Sequence, residues 1–456
     1  MAIAHRCLIA LCLALLVACM APALCGAQQP SAQQPSAQPA AAQPAPAPAE
    51  PAAQAYTLPP DKLAKAIALN RIRNILDIVA GLWGIAVLWL LLATRAAAGL
   101  EAWAARIVRG RWLQGLLFFA VLLVAITIAN LPIDIYGHHV SRAYGISIQG
   151  WGDWLLDQAK ALGLLVLFAT PIMMLFNRIV RRWPRRYWFG IWLVTLPLMV
   201  IVLFVSPLFE PIFNKYEPLT KNHAALVDKL EAVVSRTGTH ISPDRMFLMI
   251  ASTKTNGLNA YVNGIGATKR IVVWDTTAGR IPDDEVMFVF GHESGHYVLN
   301  HIPKMLFISA IGAFLVFWAC AAFSGWLANR FAASWSLQAT DEAATPLSTR
   351  AGFVVLLFAI TIAGFVLEPI DNTMSRYFEH QADVYGQEAI HTLVPDPQKT
   401  AVAAFNALGV AYLEDPDPSP FIEFWEYNHP SVKNRANFAA HYDPWANGGH
   451  GEFFDR

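Results

Sequence analysis

Six apolar runs of about 20 residues each, at 75–94, 112–131, 154–176, 187–209, 305–327 and 351–370, dominate this sequence. A helix of that length crosses the hydrocarbon of a bilayer. Helices of soluble cores are rarely so long and so apolar on every face. The expected fold class is therefore a mostly α integral membrane protein with about six transmembrane helices, and the lipid bilayer is one partner. Composition agrees: 55% of residues are hydrophobic and 14% charged, against about 25% charged in a soluble domain. The formal net charge is zero, so no nucleic-acid partner is expected.

The N-terminus carries a separate message. Arg6, then the apolar stretch Leu8 to Val17 and small residues, reads as an export signal over residues 1–27. Two processing points are open, after Ala27 or before Cys19 in Leu16-Val17-Ala18-Cys19, a lipoprotein-like box; retention as an anchor is a third course. Residues 28–56 are rich in Ala, Pro and Gln and are expected to be a disordered linker. Cys7, Cys12, Cys19 and Cys25 all lie in the first apolar stretch and Cys320 lies alone, so the cysteines offer no metal site.

The four spans within 57–210 form an N-terminal membrane domain. Residues 211–456 then read as a second domain, interrupted by the spans 305–327 and 351–370. Its polar part begins with an amphipathic helix near 220–237, followed by strand-like runs at Met246–Ile250, Asn259–Val262 and Arg270–Trp274. A further helix starts near Pro282-Asp283-Asp284-Glu285, where proline and acids suit a first turn. Loop charge sets an orientation. Arg95, Arg106, Arg109 and Arg111 follow the first span and Arg178, Arg181, Arg182, Arg185 and Arg186 the third, whereas Arg142 stands alone after the second. This puts both polar regions outside, in agreement with an exported N-terminus; Lys62, Lys65, Arg71 and Arg73 before the first span run against it.

The chemistry concentrates in His292-Glu293-Ser294-Gly295-His296. Positions four apart share a helix face, so both imidazoles reach one metal, and Glu293 stands beside them to take a proton from water. The alternative is a pair of helix histidines without a metal. A catalytic zinc takes three protein ligands and leaves a fourth position open. A third ligand is therefore sought, and Glu379 in Ser375-Arg376-Tyr377-Phe378-Glu379-His380-Gln381-Ala382-Asp383 is the candidate, with His380 its rival. Asp383, one turn later, is placed to support a ligand histidine.

His-Glu-x-x-His followed by Ser-Arg-x-x-Glu-x-Gln-Ala-Asp resembles the type I CaaX prenyl protease family of membrane zinc metallopeptidases. Pro207 to Leu219, Asn259-Ala260-Tyr261, Lys269 to Thr276 and His429-Pro430-Ser431-Val432-Lys433-Asn434-Arg435 are similar to further segments of it. Leu131-Pro132 with Tyr136, and Asp157 with Lys160, echo its membrane region. The resemblance runs from about residue 70 to about 440. It implies a small α+β zincin-like (gluzincin) protease domain beside the spans, and one zinc ion on His292, His296 and Glu379. It also implies an edge strand holding substrate at Asn259 and Ala260, and His429 and Arg435 near the metal. For these last two, a role at the oxyanion and a structural tie to the metal helices are both open.

The expected function is a metalloendopeptidase acting on protein or peptide substrates. Family members that cut prenylated proteins keep their site on the cytosolic side, whereas loop charge and the export signal here point to the periplasmic side of a bacterial inner membrane. Membrane-associated or misfolded proteins are therefore the expected substrates, with cleavage of prenylated C-termini as the alternative. A non-catalytic membrane protein with a vestigial metal site is the competing class. A transporter would show repeated halves; here four spans precede the polar insert and two follow it.

Overall fold

The computed structural model describes residues 55–264, 266–337 and 345–454. The export signal expected at 1–27, and the linker as far as residue 54, lie outside them. Among the described residues six helices are long and apolar enough to cross a membrane. They are α1 (Pro60–Ala93), α3 (Arg111–Ala143), α4 (Trp151–Arg182), α5 (Tyr187–Phe213), α9 (His301–Phe331) and α10 (Arg350–Ile390). Each contains or nearly contains one of the six apolar runs. The helices outrun the runs because hydropathy marks only the part suited to hydrocarbon, while helical hydrogen bonding continues through polar ends.

The chain divides into two compact units. One comprises residues 73–213 and 302–368. Here α2 (Ala96–Ile107) joins the spans, and a continuous apolar core runs through Leu92, Phe118, Phe119, Met173, Phe176 and Phe353. Phe119 meets Phe118 and Phe353 edge to face, with centroids 5.1 and 5.5 Å apart. Two charged clusters in this unit are paired, which offsets the cost of low-dielectric surroundings. Arg350 bonds Glu101 at 3.3 Å, and Asp157 accepts from Gln149 at 2.7 Å and Lys160 at 3.3 Å. The spans 305–327 and 351–370 thus share a core with the first four.

The second unit comprises the described residues up to 72, then 214–301 and 369–454. A four-stranded sheet runs in the order β1-β2-β4-β3, with β1 (Tyr216–Pro218), β2 (Met246–Met249), β3 (Ala260–Asn263) and β4 (Arg270–Trp274). β2 and β4 pair in parallel and the outer strands antiparallel. β1 was not expected, since three residues with a proline carry no alternation. Around the sheet stand α6 (Ala224–Thr237), α7 (Asp275–Ala278), α8 (Asp283–Val298), α11 (Pro397–Tyr412), α12 (Pro420–Glu426) and α13 (Val432–His441).

The end of the expected linker is corrected. Tyr56 is fully buried and its hydroxyl donates to the Glu414 carbonyl at 2.9 Å. Ala55 bonds Asn437 and Asn406. A buried aromatic with a satisfied hydroxyl anchors these two residues.

Candidate metal centre

α8 opens at Pro282 with Asp283, Asp284 and Glu285 in its first turn, and Lys229 of α6 pins Asp284 at 2.9 Å. Its far end carries His292, Glu293 and His296. The C-terminal part of α10 carries Glu379 and Asp383. The two helices cross where side chains are absent. A Cβ on Gly386 would stand 2.7 Å from the His292 backbone nitrogen, and one on Gly291 3.0 Å from the Gly386 carbonyl. Gly295 lies as close against Tyr385. This approach brings the two motifs together across about 90 residues of sequence.

His292 Nε2 and His296 Nε2 stand 3.2 Å apart. Glu379 reaches the first at 3.2 Å and the second at 3.6 Å. The three donors lie within 4.8 Å of one another. Asp383 is 2.8 Å from His292 Nδ1, so that nitrogen keeps its proton and Nε2 is the one left to ligate a metal. Glu379 Oε2 is buried and has no hydrogen-bond partner among the described residues. Two imidazoles, a carboxylate and a buried oxygen lacking a donor fit a zinc ion with an open fourth position. His380, the rival ligand, is exposed and packs its ring on Phe438.

Burial alone would depress the His292 imidazole; the Asp383 and Glu379 carboxylates outweigh it and hold it up at about 10. Burial, with His292 adding to it, takes His296 down to about 3. Burial also lifts the Glu293 carboxyl to about 7, against the pull of His292 and a backbone hydrogen bond from Val262. A cation beside Glu293 draws that value back down. A base poised near neutrality suits proton transfer.

The two late residues of the His-Pro-x-x-x-x-Arg segment separate. His429 Nε2 is 3.1 Å from Glu379 Oε2, at the metal side. Arg435 instead bonds Asp383 through Nε at 2.8 Å and Nη2 at 2.5 Å. Its guanidinium grips the carboxylate that orients His292, which supports the structural tie of the two readings left open for Arg435. The segment works through local structure: Ser431 caps α13 by accepting from the Asn434 N–H at 3.3 Å, which places Arg435 in the first turn.

β3 is one of the sheet's two edges. The Asn259 carbonyl accepts from Trp274 at 3.0 Å and from Thr277, and its N–H donates to Thr277 at 2.8 Å. The main-chain groups of Asn259 are thus occupied within the domain. Strand alternation turns the main chain of Ala260 to the open edge. Val262, two residues on and facing the same way, bonds Glu293 and receives the Tyr297 hydroxyl at 3.2 Å.

Five further residues that shape the site were given no role by the sequence. Arg376 and Asn372, one turn apart on α10, hold the carbonyls of Glu423, Tyr427 and Trp425 and so fix the segment that delivers His429. The glycines Gly291 and Gly295, four apart, were a legible small-residue face. His301 touches His296, with Nδ1 atoms 3.1 Å apart.

Comparison with known proteins gives the same picture. The model of peptidase family M48 matches residues 220–443. The model of the CAAX prenyl protease N-terminal region, described as five membrane helices, matches residues 45–215. A metalloprotease of Bacillus subtilis is 31% identical over 394 residues, covering 85% of this chain and 88% of its own. CAAX prenyl protease 1 of Saccharomyces cerevisiae is 26% identical, with 71% of each chain covered. The crystal structure of Ste24p from S. mikatae superposes with a TM-score of 0.71 at 23% identity, over 84% of this chain and 90% of that one, which shows a shared fold.

Proposed function

The chain belongs to peptidase family M48 and is an integral-membrane metalloendopeptidase, and from that premise we propose that it hydrolyses peptide bonds of membrane-associated or misfolded proteins, with one zinc ion on His292, His296 and Glu379. The observation that carries the ligand assignment is the convergence of the two Nε2 atoms and the Glu379 carboxylate. Zinc held there supplies Lewis acidity, which polarises a carbonyl and lowers the pKa of water toward ~7.

The chain's own residues do the rest. Asp383, gripped by Arg435, fixes the His292 tautomer. Ala260 offers main-chain hydrogen bonds to an extended substrate, a mode that asks little of side-chain identity. Glu293 takes a proton from the attacking water and passes it to the leaving amine. His429 lines the site beside Glu379 with its Nδ1 held by Asn428 Oδ1 at 2.8 Å, and meets the charge developing on the carbonyl oxygen as a donor when its ring is doubly protonated. The loop arginines support a bacterial inner membrane with catalytic regions on the periplasmic side, and residues 1–27 act as the export signal. Cleavage of prenylated C-termini is the second reading, favoured by the similarity to the yeast CAAX prenyl protease.

The test pairs purified wild type with Glu293→Gln, measuring zinc content and cleavage of an unprenylated extended peptide and a farnesylated one. Zinc in both proteins, with cleavage by wild type alone, is expected; a loss of about 10²–10⁴-fold in turnover fits a general base. Undiminished turnover in the variant would remove Glu293 from that role. Preference for the farnesylated peptide would select the second reading.

A further inference from the structure

His301 is fully buried. Its Nδ1 lies 3.1 Å from His296 Nδ1, and its Nε2 lies 3.1 Å from Gln381 Oε1. Gln381 in turn donates to the Tyr377 hydroxyl at 3.3 Å. On an unbroken helix a residue five positions on would point about 140° away from His296. α8 ends at Val298, however, and Asn300 takes a left-handed φ of 58°, a conformation asparagine tolerates better than most residues. The chain turns there and brings His301, the first residue of α9, back onto the ring of His296 at 5.1 Å between centroids. Phe378 closes the other side at 4.8 Å.

Proton placement along this chain has one arrangement compatible with a metal. Gln381 Oε1 is an acceptor, so His301 Nε2 carries the proton and His301 Nδ1 has a lone pair. His301 Nδ1 then accepts from His296 Nδ1–H, which leaves the His296 Nε2 lone pair facing His292 and Glu379. We propose that His301, oriented by Gln381, is the positioning residue that fixes the metal-binding tautomer of His296, as Asp383 does for His292. The two ligand imidazoles are thus backed differently. His292 leans on a carboxylate held by Arg435, and His296 on a neutral ring that adds no charge to a site already holding Glu293, Glu379 and Asp383.

This inference rests on the metallopeptidase reading, and its test separates the two. Zinc affinity is measured by chelator competition on detergent-purified wild type, His301→Leu, His301→Asn and Gln381→Leu, together with the melting temperature of each metal-free protein. Asparagine sets its Oδ1 near the place of the imidazole Nδ1 and keeps the acceptor, whereas leucine fills the space without one. Loss of such outer support costs about 10–100-fold in metal affinity. His301→Leu is expected to lose that much, His301→Asn to stay within about threefold of wild type, and Gln381→Leu to fall between them. Wild-type affinity in His301→Leu, or equal losses in His301→Asn and His301→Leu, would overturn the inference, because packing and not the hydrogen bond would then be at work. Absence of zinc binding by wild type itself would instead sink the metallopeptidase reading.

Discussion

His292 sits between the carboxylates of Asp383 and Glu379, and its raised pKa has a consequence for metal uptake. Ligand nitrogens must be unprotonated. With a metal-free pKa of about 10, His292 holds a proton throughout the neutral range and must release it when zinc binds. His296, down at about 3, is already neutral and releases none. Affinity for zinc is therefore expected to fall as pH falls, by about one log unit per pH unit between 8 and 9, and more steeply below about 7, where Glu293 also gives up a proton to the bound cation. Calorimetry of zinc binding in buffers of different ionisation enthalpy would report about one proton released. A pH-independent affinity between 8 and 9 would contradict the charge assignment of His292.

Two elements control how these residues meet. The crossing of α8 and α10 depends on Gly386, whose Cβ in an alanine variant would lie 2.7 Å from backbone that has no freedom to retreat. Gly386→Ala is expected to destabilise the protein by about 1–3 kcal/mol, as overpacking does. It should also weaken zinc binding by moving Glu379 from the histidines. Unchanged melting and zinc content would show that the helices have slack. The edge strand β3 gives a contrasting test. Proline at 260 removes an N–H that faces away from β4, and edge strands accept proline there. Ala260→Pro should raise KM for an extended peptide while leaving zinc content intact. An unchanged KM would place substrate elsewhere.

At the scale of the molecule, the exposed faces of the spans carry large apolar side chains, Leu208 at 72% and Phe307 at 68% exposure among them. Such surfaces belong in lipid. The proposed orientation rests on the arginines at 95–111 and 178–186. A cysteine at Asp417, 85% exposed in its side chain, should react with an impermeant maleimide in intact cells. One at Arg182 should react only after permeabilisation. The reverse pattern would put the catalytic regions in the cytosol.

The six spans and both metal motifs were legible in the sequence, for a common reason. A hydrophobic run and two histidines four apart are local patterns whose meaning is set by helix geometry alone. The sheet was partly legible: β2 and β4 appear as apolar runs, while β1 exists only because β2 offers it an edge. The sequence placed Asn259, Ala260, His429 and Arg435 near the chemistry but left their roles open. Which main-chain groups of β3 are consumed, and that Arg435 is spent on Asp383, depend on partners distant in the chain. His301 was hidden by its own spacing, because five residues on a helix point apart and a left-handed turn at Asn300 reverses that. Local periodicity thus determined what each segment is, and long-range packing decided which atoms face one another.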